Sequence, residues 1–189
     1  MKENKSGGPS GIPSGLLKCL PENWLMFLTR LFNAVFTTDT CLPKSWASSR
    51  LITIFKKGSQ LSCDNYRGIS IMDSIAKLFD TILSQRLELW FQPDREQAGS
   101  QKGRGCLEHI VSLRLLIDYA ESQRKRLYIV FIDFSKAYDR VPRLGLLQKM
   151  MALGCGRRML EAVAATYSST SMILGSALIE KWKWKMGFY

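Results

Sequence analysis

Residues 127–134 are apolar throughout except at Asp133. A run rich in Ile, Val, Tyr and Phe, without polar alternation, predicts a β-strand buried on both faces. Burying an unpaired carboxylate in such a strand is costly, so Asp133 must sit at the strand's end, face solvent or meet a cation. Two readings of this residue compete. In one, Asp133 caps a helix that begins near Ser135. In the other it holds divalent metal for phosphate chemistry, in which aspartates bridge two magnesium ions that activate a hydroxyl and neutralise phosphate charge.

The charge balance favours a polyanion. Lys and Arg number 27 against 16 acids, a formal charge of +11, which points to nucleic acid or an anionic membrane surface as partner. Hydrophobic residues make up 46% of the chain, enough to form a core, and low-complexity stretches are absent. Cys19, Cys41, Cys63, Cys106 and Cys155 are scattered without C-x-x-C spacing, and His109 is the single histidine. No zinc site can be assembled from them, and reduced thiols are expected. The start, Met1-Lys2-Glu3-Asn4-Lys5, has no apolar signal core, and Thr29, Arg30 and Asn33 break the Trp24–Phe36 run. The expectation is a soluble intracellular protein, nuclear or cytoplasmic, not secreted and with no membrane partner.

Along the chain, Ser6–Ser14 reads as a loop, and Leu16–Phe36 has helical apolar spacing with Pro21 opening a second helix. The segments 50–55 and 66–71 read as strands that pair as a hairpin around a polar loop. Helices are predicted over 74–91, which Pro93 stops, and over 107–121, after a basic glycine-bearing loop at 99–105. Two more follow at 144–153 and 157–167, the first closed by Gly154. Residues 172–174 and 178–186 make a further hairpin turning at Gly175-Ser176. Its Lys181-Trp182-Lys183-Trp184-Lys185 run reads as a half-buried strand with a solvated lysine face rather than a base-stacking platform. The sum is a mixed α+β chain.

The motifs narrow this further. Phe131-Ile132-Asp133-Phe134-Ser135-Lys136-Ala137-Tyr138-Asp139 resembles the first catalytic motif of non-LTR (LINE-type) retrotransposon reverse transcriptases: an apolar strand, Asp, variable residues, Ala, an aromatic and Asp. Trp46 with Arg50–Gly58, then Asn65-Tyr66-Arg67-Gly68-Ile69-Ser70, is similar to that family's paired fingers motifs. Lys77-Leu78-Phe79 and Gln85-Arg86-Leu87 match the helix that follows. Gln97–Gly105 resembles the Gln-x-Gly-Phe-basic loop, with Ser100 where an aromatic is usual. Gly8-Pro9-Ser10-Gly11-Ile12-Pro13 is similar to the Gly-Pro-Asp-Gly-Ile-Pro signature, with Ser10 in place of the acid. These matches are collinear over nearly the whole chain, which is more specific than any one motif.

The resemblance implies a right-hand polymerase fold with fingers and connecting helices at 1–126 and a partial palm at 127–189, the thumb being absent. It implies RNA template, DNA primer and deoxynucleoside triphosphates as partners, and Mg2+ as cofactor. Asp133 would be the catalytic metal carboxylate, with the main-chain carbonyl of Phe134 as second ligand. Lys56 or Lys57 and Arg67 would contact the nucleotide phosphates, and Tyr138 would be the steric gate against a ribose 2′-hydroxyl. Lys102 and Arg104 would clamp the template backbone. Asp139 is expected to pair with Arg140 or Arg143 rather than to bind metal.

A working polymerase also needs an Asp-Asp turn, and no Asp follows Asp139. The Gly-x-x-Gln-Gly helix is not reached either, although Lys185-Met186-Gly187 looks like its approach. The expectation is a reverse transcriptase fragment, truncated or frameshifted and inactive alone unless the remaining polymerase domain is supplied elsewhere. The alternatives are a non-catalytic nucleic-acid binder and a relic without function.

Overall fold

The computed structural model describes residues 7–37, 42–135, 137–168, 170–174 and 177–181. The chain runs through α1 (Glu22–Thr37), β1 (Ser48–Phe55), β2 (Tyr66–Met72), α2 (Ser74–Trp90), α3 (Cys106–Ser122), α4 (Arg143–Ala152), α5 (Arg157–Ser168), β3 (Thr170–Leu174) and β4 (Ala177–Lys181). Packing divides it into two units, residues 1–87 with 142–189 and residues 88–141, the division falling in the last turn of α2.

In the first unit the helices start and stop where local chemistry dictates. Pro21 opens α1, its carbonyl accepting from the amides of Trp24 and Leu25 at 3.0 and 3.2 Å. Gly154, at φ +80°, closes the turn after α4. The apolar faces of α1 and α2 meet over Trp46, whose ring lies 5.8 Å from Phe32 and 5.4 Å from Phe79, with Phe32 and Phe79 5.5 Å apart. Leu28, Ala76, Leu83 and Ala162 complete this core. Trp24 and Phe27 do not join it. They stack edge to face at 5.9 Å on the solvent side of α1, because Leu28 and Phe32 already occupy the side that faces α2.

β1 and β2 form the expected antiparallel hairpin, in register from Ser49 opposite Met72 to Phe55 opposite Tyr66. The sheet extends further than the sequence suggested, in the order β2-β1-β3-β4, with β3 parallel to β1. Hydroxyls stitch these strands: Ser70 donates to Ser49 at 2.7 Å, Ser49 to the Ser171 carbonyl at 3.4 Å, and Ser48 lies 3.0 Å from the Ser171 hydroxyl. β3 and β4 pair from Thr170–Lys181 to Leu174–Ala177, bearing out that hairpin. Its turn at Gly175-Ser176 and most of the Lys181–Lys185 run lie outside the described residues.

The Gly8–Pro13 loop packs on the β2–α2 junction. A Cβ on Gly8 would come 2.4 Å from the Met72 carbonyl oxygen, so only glycine fits there. Ser10 donates to the buried Asp73 carboxylate through its hydroxyl and, at 3.3 Å, through its amide. Ser74 donates to the Ile12 carbonyl at 2.6 Å.

Arg158 donates to the last carbonyl of α1, Thr37, at 3.3 Å, and Arg86 sits 4.9 Å from the Phe36 ring centre. Both cations complement the negative end of the α1 dipole. On α2, Asp80 is half-buried and burial alone raises its carboxyl above the ordinary 3.8. With its folded value raised, the folded state holds the proton more tightly than the unfolded one. Stability therefore falls as pH climbs from about 3.8 through the folded value. Asp80→Asn is expected to raise the melting temperature slightly at pH 7, given solvent screening, with no gain near pH 3. Melting curves at the two pH values check this; an equal gain at both would assign the effect to something other than charge burial.

One expectation fails. Residues 127–134 form no strand, and Phe131 and Ile132 are 82% and 78% exposed. A strand needs a ladder partner and a strand buried on both faces needs a layer on each side. The second unit, among the described residues, offers only the end of α2, helix α3 and the turn Ala137–Arg140. The main-chain groups of 127–134 therefore turn to solvent.

Candidate active site

The hairpin β1–β2 carries the first group of candidates. Arg67 pairs with Ile54 across the ladder, and the Lys56 amide extends that ladder by donating to the Asn65 carbonyl at 2.8 Å. Side chains two residues apart share a face, so Lys56 falls on the same face as Ile54 and Arg67. Lys57 sits in the bend beyond, next to Gly58 at φ +93°. All three cations are exposed. Asn65 holds the loop from inside, its amide donating to the Ser59 carbonyl at 2.8 Å, while the Tyr66 hydroxyl donates to Gln60 at 3.0 Å. The hairpin tip is a shaped basic turn, and among the described residues no ion pair neutralises Arg67.

Asp133, Phe134 and Tyr138 lie in the second unit. Asp133 is exposed, and Tyr138 is 94% exposed on the turn Ala137–Arg140. Among the described residues no cluster of three acidic, histidine or cysteine side chains surrounds Asp133 or any other point. Among the described residues a metal here would have one carboxylate and the neighbouring carbonyl, an oxygen donor set that suits Mg2+ but does not fill its coordination sphere. The Asp139 side chain lies outside the described residues. Arg143, one of its expected partners, donates to the Tyr167 carbonyl at 3.2 Å and lies 5.2 Å from that ring.

The basic loop 97–105 also lies in the second unit. Lys102 is exposed, between Ser100 at φ +62° and Gly103 at φ +77°. Arg104 is different. Its Nε donates to Glu108 Oε2 at 2.8 Å, its Nη2 lies 2.7 Å from the same oxygen in an ion pair, and its Nη1 donates to the Gln97 carbonyl at 3.4 Å. Sequence reading listed Arg104 as a cation and passed over Glu108, although Arg and Glu four apart at a helix start are the signal of such a pair. No helix of the described residues is long and apolar enough to cross a membrane. The four described cysteines are free thiols.

Residues 54–185 match the family model "Reverse transcriptase (RNA-dependent DNA polymerase)", and the chain belongs to that family. Its relatives come from non-LTR retrotransposons. The chain is 31% identical over 155 residues to the probable RNA-directed DNA polymerase from transposon BS of Drosophila melanogaster, covering 79% of this chain and 17% of that protein. It is 29% identical over 157 residues to the polymerase from mobile element jockey of the same species, with the same two shares. Similarity to the Pol polyprotein of retrotransposable element R2DM is 24% over 164 residues, 87% of this chain and 15% of that one. The chain thus spans about one sixth of the length of these relatives.

Proposed function

We propose that this chain supplies the nucleotide- and template-facing part of an RNA-directed DNA polymerase, and that its 189 residues alone do not polymerise. The observation that carries the reading is the β1–β2 hairpin, which presents Lys56 and Arg67 on one face, unpaired among the described residues, in a chain that belongs to this family. Arg67 grips phosphate oxygens of an incoming deoxynucleoside triphosphate in bidentate fashion, and Lys56 rather than Lys57 adds the second charge. Residues 1–126 act as fingers and 127–189 as part of the palm. Asp133 and the Phe134 carbonyl would hold Mg2+, which supplies charge neutralisation at the phosphates when bound. Tyr138 stands beside the sugar and disfavours a 2′-hydroxyl. The apolar residues exposed at 127–134 become a strand once further chain provides the ladder.

The partners in this reading are an RNA template and a DNA primer. The chain should bind a recessed RNA–DNA duplex with strong salt dependence. Arg67→Ala is expected to weaken the binding of a deoxynucleoside triphosphate to the duplex-bound chain and to reduce the salt dependence of that step. Titrations between low and moderate KCl measure it; absence of binding even at low salt would sink the proposal. A second reading, a non-catalytic nucleic-acid binder, rests on the formal charge of +11 and the exposed cations of the hairpin, which need no catalytic carboxylate. Primer extension by a full-length polymerase that contains this segment separates the two: only the first reading expects Asp133→Asn to abolish it.

A further inference from the structure

We propose that Arg104 is not a phosphate ligand but a positioning residue, which with Glu108 staples the 97–105 loop shut so that Lys102 alone is presented to the nucleic-acid backbone. The inference rests on the reading of this loop as a template contact. Three nitrogens of the Arg104 guanidinium are committed, two to Glu108 at 2.8 and 2.7 Å and one to the Gln97 carbonyl at 3.4 Å. The same Gln97 carbonyl accepts from the Gln101 side chain, and the Gln97 amide reaches the Gly99 carbonyl at 3.4 Å. Residues at both ends of the loop therefore converge on one carbonyl, and Glu108 in the first turn of α3 holds the clamp.

Burial agrees with this division of labour. Arg104 and Gln101 are half-buried and Ala98 is buried, whereas Lys102 is exposed at the tip. The hydrogen bond and charge of Arg104 hold the Glu108 carboxyl below its ordinary range. A phosphate could recruit Arg104 only by displacing a carboxylate already held by a hydrogen bond and an ion pair. A preformed loop avoids the cost of ordering on binding, which is where the staple contributes affinity.

The test uses the whole 189-residue chain and a DNA primer recessed on an RNA template, titrated across KCl concentrations. Lys102→Gln should reduce the salt slope by about 0.7 to 0.9. Glu108→Gln and the charge-neutral pair Arg104→Gln with Glu108→Gln should each weaken binding about two- to tenfold while leaving the slope unchanged. Arg104→Lys should fail to restore the parent affinity, because an ammonium cannot make the three contacts. Hydrogen exchange at residues 98–104 of the unbound chain should rise in Glu108→Gln. If Glu108→Gln tightens binding, or Arg104→Lys behaves as the parent does, Arg104 is a phosphate ligand and the inference is overturned. If Lys102→Gln changes neither affinity nor slope while exchange still rises, the loop is stapled but is no template contact, and that parent reading fails instead.

Discussion

In a full-length polymerase that contains this segment, Asp133→Asn is expected to lower primer extension by more than about 100-fold, the loss seen when groups that merely support a metal ligand are removed. The amide keeps the shape and size of the side chain but loses the charge that balances divalent metal, so affinity for the RNA–DNA duplex should stay close to that of the parent. Steady-state extension at several Mg2+ concentrations is the measurement. Extension within about tenfold of the parent would mean that Asp133 serves as a solvated carboxylate or a cap, the other role its place in the sequence allows. The exposure of Asp133 bears on this choice. An exposed carboxylate has little reason to resist Asn, so a large loss of activity with unchanged folding is diagnostic.

The second large effect concerns the core of the first unit. Phe79 is 2% exposed and touches both Phe32 and Trp46 through their rings. Phe79→Ala removes one member of a three-ring cluster that ties α1, α2 and the turn Lys44–Ala47 together. The expected cost is about 3–5 kcal/mol, a large part of the roughly 5–15 kcal/mol that holds an ordinary domain folded. Urea unfolding of parent and variant, followed by far-ultraviolet circular dichroism, measures it. A loss below about 1 kcal/mol would show that the neighbouring rings close over the vacancy or that this cluster is not the core.

Much of this architecture was legible because it is local. Leu28, Phe32, Phe79 and Leu83 recur at helical spacing, and the two β-branched segments flanking Lys56–Asn65 declare a hairpin before any partner is known. The parallel pairing of β1 with β3 was not legible, since Ser48 and Ser171 carry no pattern that announces one another across the intervening chain. Nor was the docking of Gly8–Pro13 on Asp73 and Ser74, which depends on a close approach of two backbones. The run at 127–134 misled for the opposite reason. Its residues state what they would favour given neighbours on both sides, and composition cannot say whether neighbours are there. Among site residues, Arg67 and Lys102 stood out as cations and are exposed as cations. Arg104 had the same signature, but Glu108 one turn on takes up its charge.

The discontinuity of the first unit has a consequence for how such a chain comes off the ribosome. β1 is synthesised more than a hundred residues before β3, and residues 88–141 emerge between them. Helices α1 and α2 can pair early around Trp46, but the free edge of β1 waits through that whole interval for its parallel neighbour. Sheet edges left open in this way are the places where nascent chains meet each other. The hydroxyl-rich stretch Ser48-Ser49 faces that interval with polar groups rather than with an apolar edge, a composition that suits a strand obliged to wait.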